Sequence, residues 1–292
     1  MAWLELTLPC EEHTAESLSD LLFELSALSV TFEDAQNEPI FEPKPGTMPL
    51  WQHANVIALF AEDAELTPVY ARLQQDFPEA FARHQLRRIE DQAWEKIYLE
   101  NFQPLKITET LWICPSWHTP PNPKATNVLL DPGVAFGTGT HETTQLCLQA
   151  LSEIDLKNKT IIDFGCGSGI LAIAALKLGA QNVVAVDIHE QALEATQSNA
   201  GINQLENQIT TYHPDLLPSM KANIIIANIL AEPLVALSEQ FMSLLEDDGQ
   251  LILSGLLIEQ IDQVIAAYPQ LEIQSKTTLN DWACLHFKAT KA

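Results

Sequence analysis

IIDFGCGSGI, residues 161–170, is a short apolar run followed by a glycine-dense turn. The apolar run predicts a buried strand, and the largely apolar residues that follow Gly169 predict a helix. Three glycines alternate within five residues of the turn. Without side chains at those positions, the main-chain amides and the helix N-terminus can approach a ligand closely. The stretch therefore predicts a strand-turn-helix unit that binds a ligand at its turn, and the rest of the chain is interpreted around it.

Two classes of cofactor use such a turn, and neighbouring carboxylates help to separate them. Dinucleotide folds favour G-x-G-x-x-G, whereas this chain has G-x-G-x-G with Asp163 two positions before the first glycine. A carboxylate there repels a pyrophosphate but can accept hydrogen bonds relayed from the ammonium of an amino acid. Asp187 ends the next predicted strand, 22 residues after Gly165, where it can bind the ribose hydroxyls of either cofactor. Asp163 favours S-adenosylmethionine.

Composition predicts a globular protein rather than a membrane protein. The 292 residues are 47% hydrophobic and 18% charged, and the length suits two domains with separate cores. No apolar run approaches 18 residues, and residues 1–9 carry Glu5 but no Lys or Arg. We therefore expect neither a membrane span nor a signal peptide, and a cytoplasmic location.

The cysteines and the net charge exclude further classes. Five widely spaced cysteines without a C-x-x-C pair argue against a disulfide framework or a zinc site, so no metal is predicted. A net charge of -24 argues against direct binding of nucleic acid. Residues 1–100 hold 19 of the 39 acidic residues and only 6 of the 15 basic ones. That region either attracts a basic protein partner or simply keeps the chain in solution.

Residues 1–90 predict a small domain without chemistry of its own. Strand and helix patterns alternate there as β-α-β-β-α-β, which is the ferredoxin-like order of an antiparallel sheet with two helices on one face. No catalytic constellation is present, so we interpret residues 1–90 as a substrate-recognition domain. Residues 91–104 predict a linker helix that bears Trp94 and ends at Pro104, or alternatively the first helix of the second domain. The predicted strands are 3–8, 29–34, 55–61 and 85–90, and the helices are 14–28 and 66–76.

Residues 105–292 predict a doubly wound, Rossmann-like α/β domain. Ligands of such folds bind at the carboxyl ends of the strands, which is where Gly165, Asp187 and Asn228 fall. Asn228 ends a strand whose apolar run indicates burial on both faces, and an amide there is not expected as core filling. The predicted strands are 111–114, 128–130, 161–163, 183–187, 209–212, 222–228, 250–254, 271–277 and 282–287. The predicted helices are 144–151, a helix from 170, 189–203, 232–245 and 259–267.

A second glycine-rich segment, DPGVAFGTGTHETT at residues 131–144, precedes the first of these helices. It is not a phosphate-binding P-loop, because no Gly-Lys-Ser/Thr closes it. Its threonines either cap the helix, or Phe136 and the glycines form a flap over the cofactor while Thr143 or Thr144 offers a hydroxyl to the amino-acid end. We interpret His141 and Glu142 as a local hydrogen-bonding pair rather than as a general base.

The combination of LDPGVAFGTGTHETT, IIDFGCGSGILAIAALKLGA and IIIANILAEPL resembles the ribosomal protein L-eleven methyltransferase family of class I S-adenosylmethionine-dependent enzymes. The resemblance covers essentially the whole chain. It implies a bacterial, cytoplasmic and mainly monomeric enzyme that methylates lysine side chains and the N-terminal α-amine of a large-subunit ribosomal protein. It also implies that Thr144, Gly165, Asp187 and Asn228 contact the cofactor.

The residues after Asn228 bear on the acceptor. Related N6-adenine and glutamine methyltransferases carry Asn-Pro-Pro-Tyr where this chain has Asn-Ile-Leu-Ala at 228–231. Without an aromatic ring to stack on a planar group, the site suits an aliphatic amine, which we expect the Asn228 carbonyl to orient. The open alternatives are another protein or small-amine substrate, an NAD-binding oxidoreductase, and a non-catalytic scaffold. NAD binding lacks the third glycine, and the intact set of Asp163, Gly165, Asp187 and Asn228 argues against a scaffold.

Overall fold

The structure is a computed structural model that describes residues 2–36, 38, 40, 49–90, 102–131 and 139–289. The chain divides into two compact units, Met1–Leu99 and Glu100–Ala292. The predicted linker helix falls almost wholly on residues 91–101, and Phe136 of the predicted flap falls on residues 132–138. Both lie outside the described residues.

The first unit has the predicted ferredoxin-like arrangement. Its four-stranded sheet has the order β2-β3-β1-β4, and each neighbouring pair is antiparallel. A short helix at Pro78–Ala82 was not predicted. In chain order the elements are β1 (Trp3–Glu11), α1 (Glu12–Glu24), β2 (Ser29–Asp34), β3 (His53–Ala61), α2 (Thr67–Asp76), α3 (Pro78–Ala82) and β4 (Gln85–Ile89).

Alternation along the strands explains why one face of this sheet is covered. Leu6 and Leu8 of β1 are fully buried and pack in one core with Leu18 and Leu22 of α1.

Helix α1 ends at Glu24, so the prediction that it continues to Leu28 is wrong. The chain leaves the helix because Ser26 adopts φ +70°, with Ser26 N donating to Phe23 O and Ala27 N donating to Leu22 O. This bond pattern is a Schellman motif.

The second unit contains a small sheet and a large one. The small sheet has the order β5-β6-β7, with strands Leu105–Lys106, Leu111–Cys114 and Thr126–Leu129. The large sheet has the order β10-β9-β8-β11-β12-β14-β13. Its strands are β8 (Thr160–Phe164), β9 (Asn182–Val186), β10 (Ile209–Tyr212), β11 (Ala222–Asn228), β12 (Leu245–Leu257), β13 (Leu271–Leu279) and β14 (Trp282–Ala289).

Strands β8 to β12 pair in parallel, and only the two pairings of β14 are antiparallel. The order reverses at β8, from which the chain winds outward to both sides. This is the predicted doubly wound domain. Its described helices are α4 (Glu142–Glu153), α5 (Ile170–Lys177), α6 (Glu190–Ile202), α7 (Ala231–Ala236), α8 (Ser238–Leu244) and α9 (Ile261–Ala266), with 3-10 turns at Pro214–Leu216 and Ile258–Gln260.

Two hydrophobic cores cover the faces of the large sheet. Successive residues of β8 show the division, because Ile161 packs in one core and Ile162 in the other. Strand β11 divides in the same way, with Ile224 and Ile226 in the first core and Ile225 in the second. This confirms the prediction, from the apolar run, that β11 is buried on both faces.

The predicted elements differ from the structure mainly around β12. The helix predicted over 232–245 is two helices, α7 and α8, that meet at Leu237. The strand predicted over 250–254 is much longer, because its start pairs Leu245 with Ala222 across an irregular register. Strand β5 was not predicted at all. Within the described residues, no helix has both the length and the apolar character required to cross a bilayer.

Candidate functional site

The carboxyl edge of the large sheet brings three predicted site residues together. Gly165 directly follows β8, Asp187 directly follows β9, and Asn228 is the last residue of β11. Strand β8 lies between β9 and β11, so the three residues stand at the ends of neighbouring parallel strands. This edge is where ligands of doubly wound folds bind.

The turn after β8 is built from left-handed glycines. Gly165, Gly167 and Gly169 have φ angles of +78°, +53° and +77°, which residues with a Cβ atom rarely adopt. Gly169 is the N-cap residue of α5 and has no side chain with which to cap it. Asp163 takes over that function, because its Oδ2 accepts a hydrogen bond from Ala172 N at 3.0 Å.

The main-chain amides of this turn are bonded within the protein. Gly165 N and Cys166 N donate to Val186 O at 2.7 and 3.0 Å, and Gly167 N donates to Asp187 Oδ2 at 3.0 Å. These three amides therefore already have acceptors within the protein, and the close approach of the turn's main chain to a ligand stays a prediction. A pyrophosphate depends on such amides as donors, so the geometry argues against the dinucleotide alternative.

Helix α6 holds the turn from a second side. Thr196 Oγ1 donates to Gly167 O at 3.1 Å, and Asn199 Nδ2 donates to Ser168 O at 2.9 Å. One turn later Asn203 brackets Leu129 of β7, accepting from its amide at 2.9 Å and donating to its carbonyl at 2.6 Å.

Sequence reasoning did not identify these positioning residues. Their signal was nevertheless present, because Thr196, Asn199 and Asn203 recur at helical spacing. All three are nearly or fully buried. A buried polar stripe on a helix requires hydrogen-bond partners.

Asp187 is 9% exposed and organises the backbone around it. Besides Gly167 N, it accepts a hydrogen bond from His189 N through Oδ1 at 3.0 Å. An ionised carboxylate has about four acceptor positions, so each oxygen retains capacity for a further donor. The hydroxyls of a ribose are donors of the required kind.

Asp163 carries the most unusual oxygen of the site. Its side chain is fully buried, and Oδ1 has no hydrogen-bond partner among the described residues. Burial raises the pKa of this carboxyl to about 7, and the negative charge of Asp187 acts in the same direction. A buried carboxylate oxygen without a donor is stabilised either by a proton that it binds or by a cationic group that lies nearby.

Thr144 and Asn228 are in direct contact. Asn228 Nδ2 donates to Thr144 Oγ1 at 3.2 Å, which joins the end of β11 to the first turn of α4. Thr144 is buried, whereas Asn228 is partly exposed. The side-chain carbonyl of Asn228 accepts no hydrogen bond from a described residue. It is therefore an open acceptor beside the cofactor edge.

Helix α4 begins two residues earlier than predicted, and a histidine caps it. Thr143 N donates to His141 Nδ1 at 3.3 Å, so the interpretation that threonines cap the helix is wrong. His141 and Glu142 do not form a hydrogen-bonding pair either, since Nδ1 and Oε2 are 4.0 Å apart. Glu142 instead accepts from Asn280 Nδ2 at 2.8 Å. A hydrogen bond from its own backbone amide and this bond from Asn280 lower the pKa of Glu142.

One family model matches nearly the whole sequence. Residues 2–290 match the model of the family described as ribosomal protein L11 methyltransferase (PrmA). The chain belongs to this family. A ribosomal protein L11 methyltransferase of Pseudomonas fluorescens strain Pf-5 is 48% identical over 284 residues, covering 97% of either chain. One of Shewanella piezotolerans is also 48% identical and covers 98% of both chains.

A solved structure supports the same assignment. The ribosomal protein L11 methylase of Lactobacillus delbrueckii subsp. bulgaricus is 36% identical, with a TM-score of 0.60. The match covers 64% of this chain and 99% of that one. These comparisons confirm the resemblance seen in the sequence: the chain is a methyltransferase, and S-adenosylmethionine is its cofactor.

The residues at the edge fit that cofactor. Asp187 has acceptor capacity for a ribose. Asp163 Oδ1, which has no hydrogen-bond partner among the described residues, suits the cationic end of an amino acid. All five cysteines are buried free thiols, and burial raises the pKa of the Cys166 thiol in the glycine turn. Cys166 is therefore a packing residue rather than a nucleophile. Across the described ranges, no group of three or more His, Cys, Asp or Glu side chains could hold a metal ion.

Proposed function

We propose that the chain transfers methyl groups to aliphatic amines of ribosomal protein L11, namely lysine side chains and the N-terminal α-amine. The observation that carries the proposal is the open side-chain carbonyl of Asn228 beside Thr144, at the edge where Gly165 and Asp187 also lie. The proposal describes a monomeric enzyme that works in the cytoplasm on a basic protein rather than on nucleic acid.

Four residues are proposed to hold the cofactor. Asp187 binds the ribose through charge-assisted hydrogen bonds, and Gly165 keeps the turn free of side-chain bulk. Thr144 and Asn228 lie at the amino-acid end, and the Asp163 carboxylate balances the charge of the ammonium. When bound, S-adenosylmethionine supplies a methyl group on a positively charged sulfur. The protein's task is then to orient the acceptor and to exclude charges that would keep it protonated.

The acceptor amine must lose its proton before it reacts. A lysine of ordinary pKa, about 10.4, costs roughly 4–5 kcal/mol to deprotonate at pH 7. A carboxylate beside the amine raises that cost, whereas an amide carbonyl accepts one N–H and adds no charge. Asn228 supplies such a carbonyl. Leu230, two residues on, is half exposed and offers an aliphatic surface without an aromatic ring. Both features favour an aliphatic amine over a planar base or amide.

Residues 1–90 are proposed to select the substrate and residues 105–292 to perform the chemistry, with residues 91–104 as the link. The first hundred residues have a charge of -13, from 19 acidic and 6 basic side chains. One sheet face of the first unit packs on its helices, as described above, and we propose that its other face contacts the partner. Negative potential on this unit draws a basic protein toward it and accelerates encounter.

The proposal is tested with isotopically labelled S-adenosylmethionine and purified ribosomal protein L11, with the label located by mass spectrometry. We expect label on lysine side chains and on the N-terminal amine. Ribosomal RNA freed of protein serves as a control and should take up none. Label confined to side chains other than amines, or found on the RNA, would contradict the proposal.

A shortened chain of residues 105–292 tests the division of roles. We expect it to bind S-adenosylmethionine with an affinity close to that of the full chain but to lose methylation of the ribosomal protein. Circular dichroism and calorimetric titration establish that it is folded and binds the cofactor. Methylation at the full-length rate would show that residues 1–90 do not select the substrate.

A further inference from the structure

Gly255 interrupts β12 next to the Asn228 end of β11. Its φ angle is +85°, and the pairing of β12 with β14 shifts by one residue between Ser254 and Leu256. An extra residue in a left-handed conformation is a β-bulge. Ser254, the residue before the bulge, is the partner of Asn228 in the β11–β12 pairing.

The bulge lets the backbone of Ile229 lie against Gly255. A Cβ atom on Gly255 would stand 2.3 Å from Ile229 O, 2.7 Å from its carbonyl carbon and 2.9 Å from its nitrogen. All three are main-chain atoms, so no rotation of a side chain relieves the contact. The Ile229 nitrogen belongs to the peptide bond that it shares with Asn228. A side chain at position 255 therefore requires a shift of the main chain, either at Gly255 or at Ile229, which is bonded directly to Asn228.

A second glycine receives the side chain of Ile229. A Cβ atom on Gly165 would stand 2.3 Å from Ile229 Cγ2. The backbone of Ile229 thus packs against Gly255, and its side chain packs against Gly165. Asn228 precedes this doubly packed residue and is tied to Thr144 through its amide.

We propose that Gly255 is a positioning residue for methyl transfer. Because Gly255 has no side chain, the main chain of Ile229 packs directly against β12, and this packing sets the position of the Asn228 side-chain carbonyl. The inference rests on the role proposed above for Asn228. Displacing an orienting group by about 1 Å can cost about 100-fold in rate. Binding of the ribose depends on Asp187, on a different strand, and is expected to change little.

Gly255→Ala tests the inference, with Gly179→Ala as the matched control. Gly179 also has a left-handed φ, +114°, but nothing lies within 4 Å of a Cβ atom placed there. Both variants thus carry a methyl group in an unfavourable conformation, and only one displaces a peptide. We expect Gly255→Ala to lower kcat by at least about tenfold, with the KM for ribosomal protein L11 and the Kd for S-adenosylmethionine within about threefold. Gly179→Ala should keep kcat within about twofold.

A double-mutant cycle shows whether the effect passes through Asn228. In an Asn228→Ala background, Gly255→Ala should lower kcat by less than about twofold. Equal fold losses in both backgrounds, or an unchanged kcat in folded Gly255→Ala, would overturn the inference. An unchanged kcat in Asn228→Ala alone would instead overturn the role proposed for Asn228.

Ile229→Ala replaces Gly255→Ala in the cycle if the latter does not fold. It removes the contact with Gly165 and loosens the same peptide. The same loss of kcat is expected, and it should again disappear in the Asn228→Ala background. A loss of equal size in both backgrounds would overturn the inference here too.

Discussion

The carboxyl edge of the large sheet has two halves that are built differently. On the β8–β9 half, the amides of Gly165, Cys166 and Gly167 and both oxygens of Asp187 already have partners within the protein. On the β11–β12 half, Asn228 makes one hydrogen bond with the described residues, through its nitrogen, and its carbonyl accepts none from them. We call the glycine turn, residues 165–169, together with Asp187 the cradle. Its internal hydrogen bonds make it rigid before any ligand binds. On the function proposed above, the second half directs the Asn228 carbonyl at the reacting amine, so the first half only holds the cofactor whereas the second also orients the acceptor.

Removing the open carbonyl should have the largest effect. We expect Asn228→Ala to lower kcat for methylation of ribosomal protein L11 by about 100-fold, a typical cost of losing one preorganised polar group at a reacting centre. The affinity for S-adenosylmethionine should fall much less, because the cradle is intact. Single-turnover rates and calorimetric titration measure the two quantities separately.

Asn228→Asp controls for the shape of the side chain while it adds a charge. A carboxylate beside the amine stabilises the protonated form, which cannot react. The activity of this variant should therefore rise with pH over a higher range than that of the native chain. Superimposable pH–rate profiles would leave Asn228 as a cofactor contact only.

The two halves also differ in how well the sequence predicted them. The glycine spacing, Asp163 and the acidic strand end at Asp187 were sufficient to place the cradle, because short-range pattern and strand order determine it. That the amides of Gly165 and Cys166 are hydrogen-bonded within the protein was not predictable, since their acceptor, Val186 O, is a main-chain atom of another strand. The packing of Ile229 on Gly255 likewise depends on register between strands. The isolated glycine within LILSGLL is typical of a bulge, but our sequence analysis did not predict one there.

Asp187→Ala removes the carboxylate of the cradle and should have the next largest effect, on the affinity for S-adenosylmethionine. Charge-assisted hydrogen bonds contribute about 1.5 to 3 kcal/mol, so the affinity for S-adenosylmethionine should fall at least about tenfold. Because the same carboxylate anchors Gly167 and His189, thermal stability should fall as well. His189→Ala is the control: it keeps the anchoring amide and removes only an exposed imidazole 3.3 Å from Asp187. Equal affinities for the native chain and a folded Asp187→Ala variant would remove Asp187 from the site.

The smallest expected effect concerns Asp163, whose ionisation makes both the stability of the chain and its affinity for the cofactor depend on pH. Its folded-state pKa of about 7 lies above the ordinary value of 3.8. The folded chain therefore retains a proton that the unfolded chain loses near pH 4. This contribution to the free energy of unfolding is present at low pH and declines as pH rises toward 7. Asp163→Asn, which carries no titrating group, should lack that decline when thermal stability is compared between pH 5 and 8.

Cofactor binding should show the opposite slope. The ammonium of bound S-adenosylmethionine favours the ionised form of Asp163, so binding at pH 6 must expel a proton that is already gone at pH 8. Between these values the affinity of the native chain should rise about five- to tenfold more than that of Asp163→Asn. Titration of the cofactor's own amine is common to both proteins and cancels in the comparison. Calorimetry in two buffers of different ionisation enthalpy counts the protons released. Parallel pH dependences for the two chains would show that the ammonium does not lie near Asp163, and the cradle would then hold its ligand through Asp187 and the glycine turn alone.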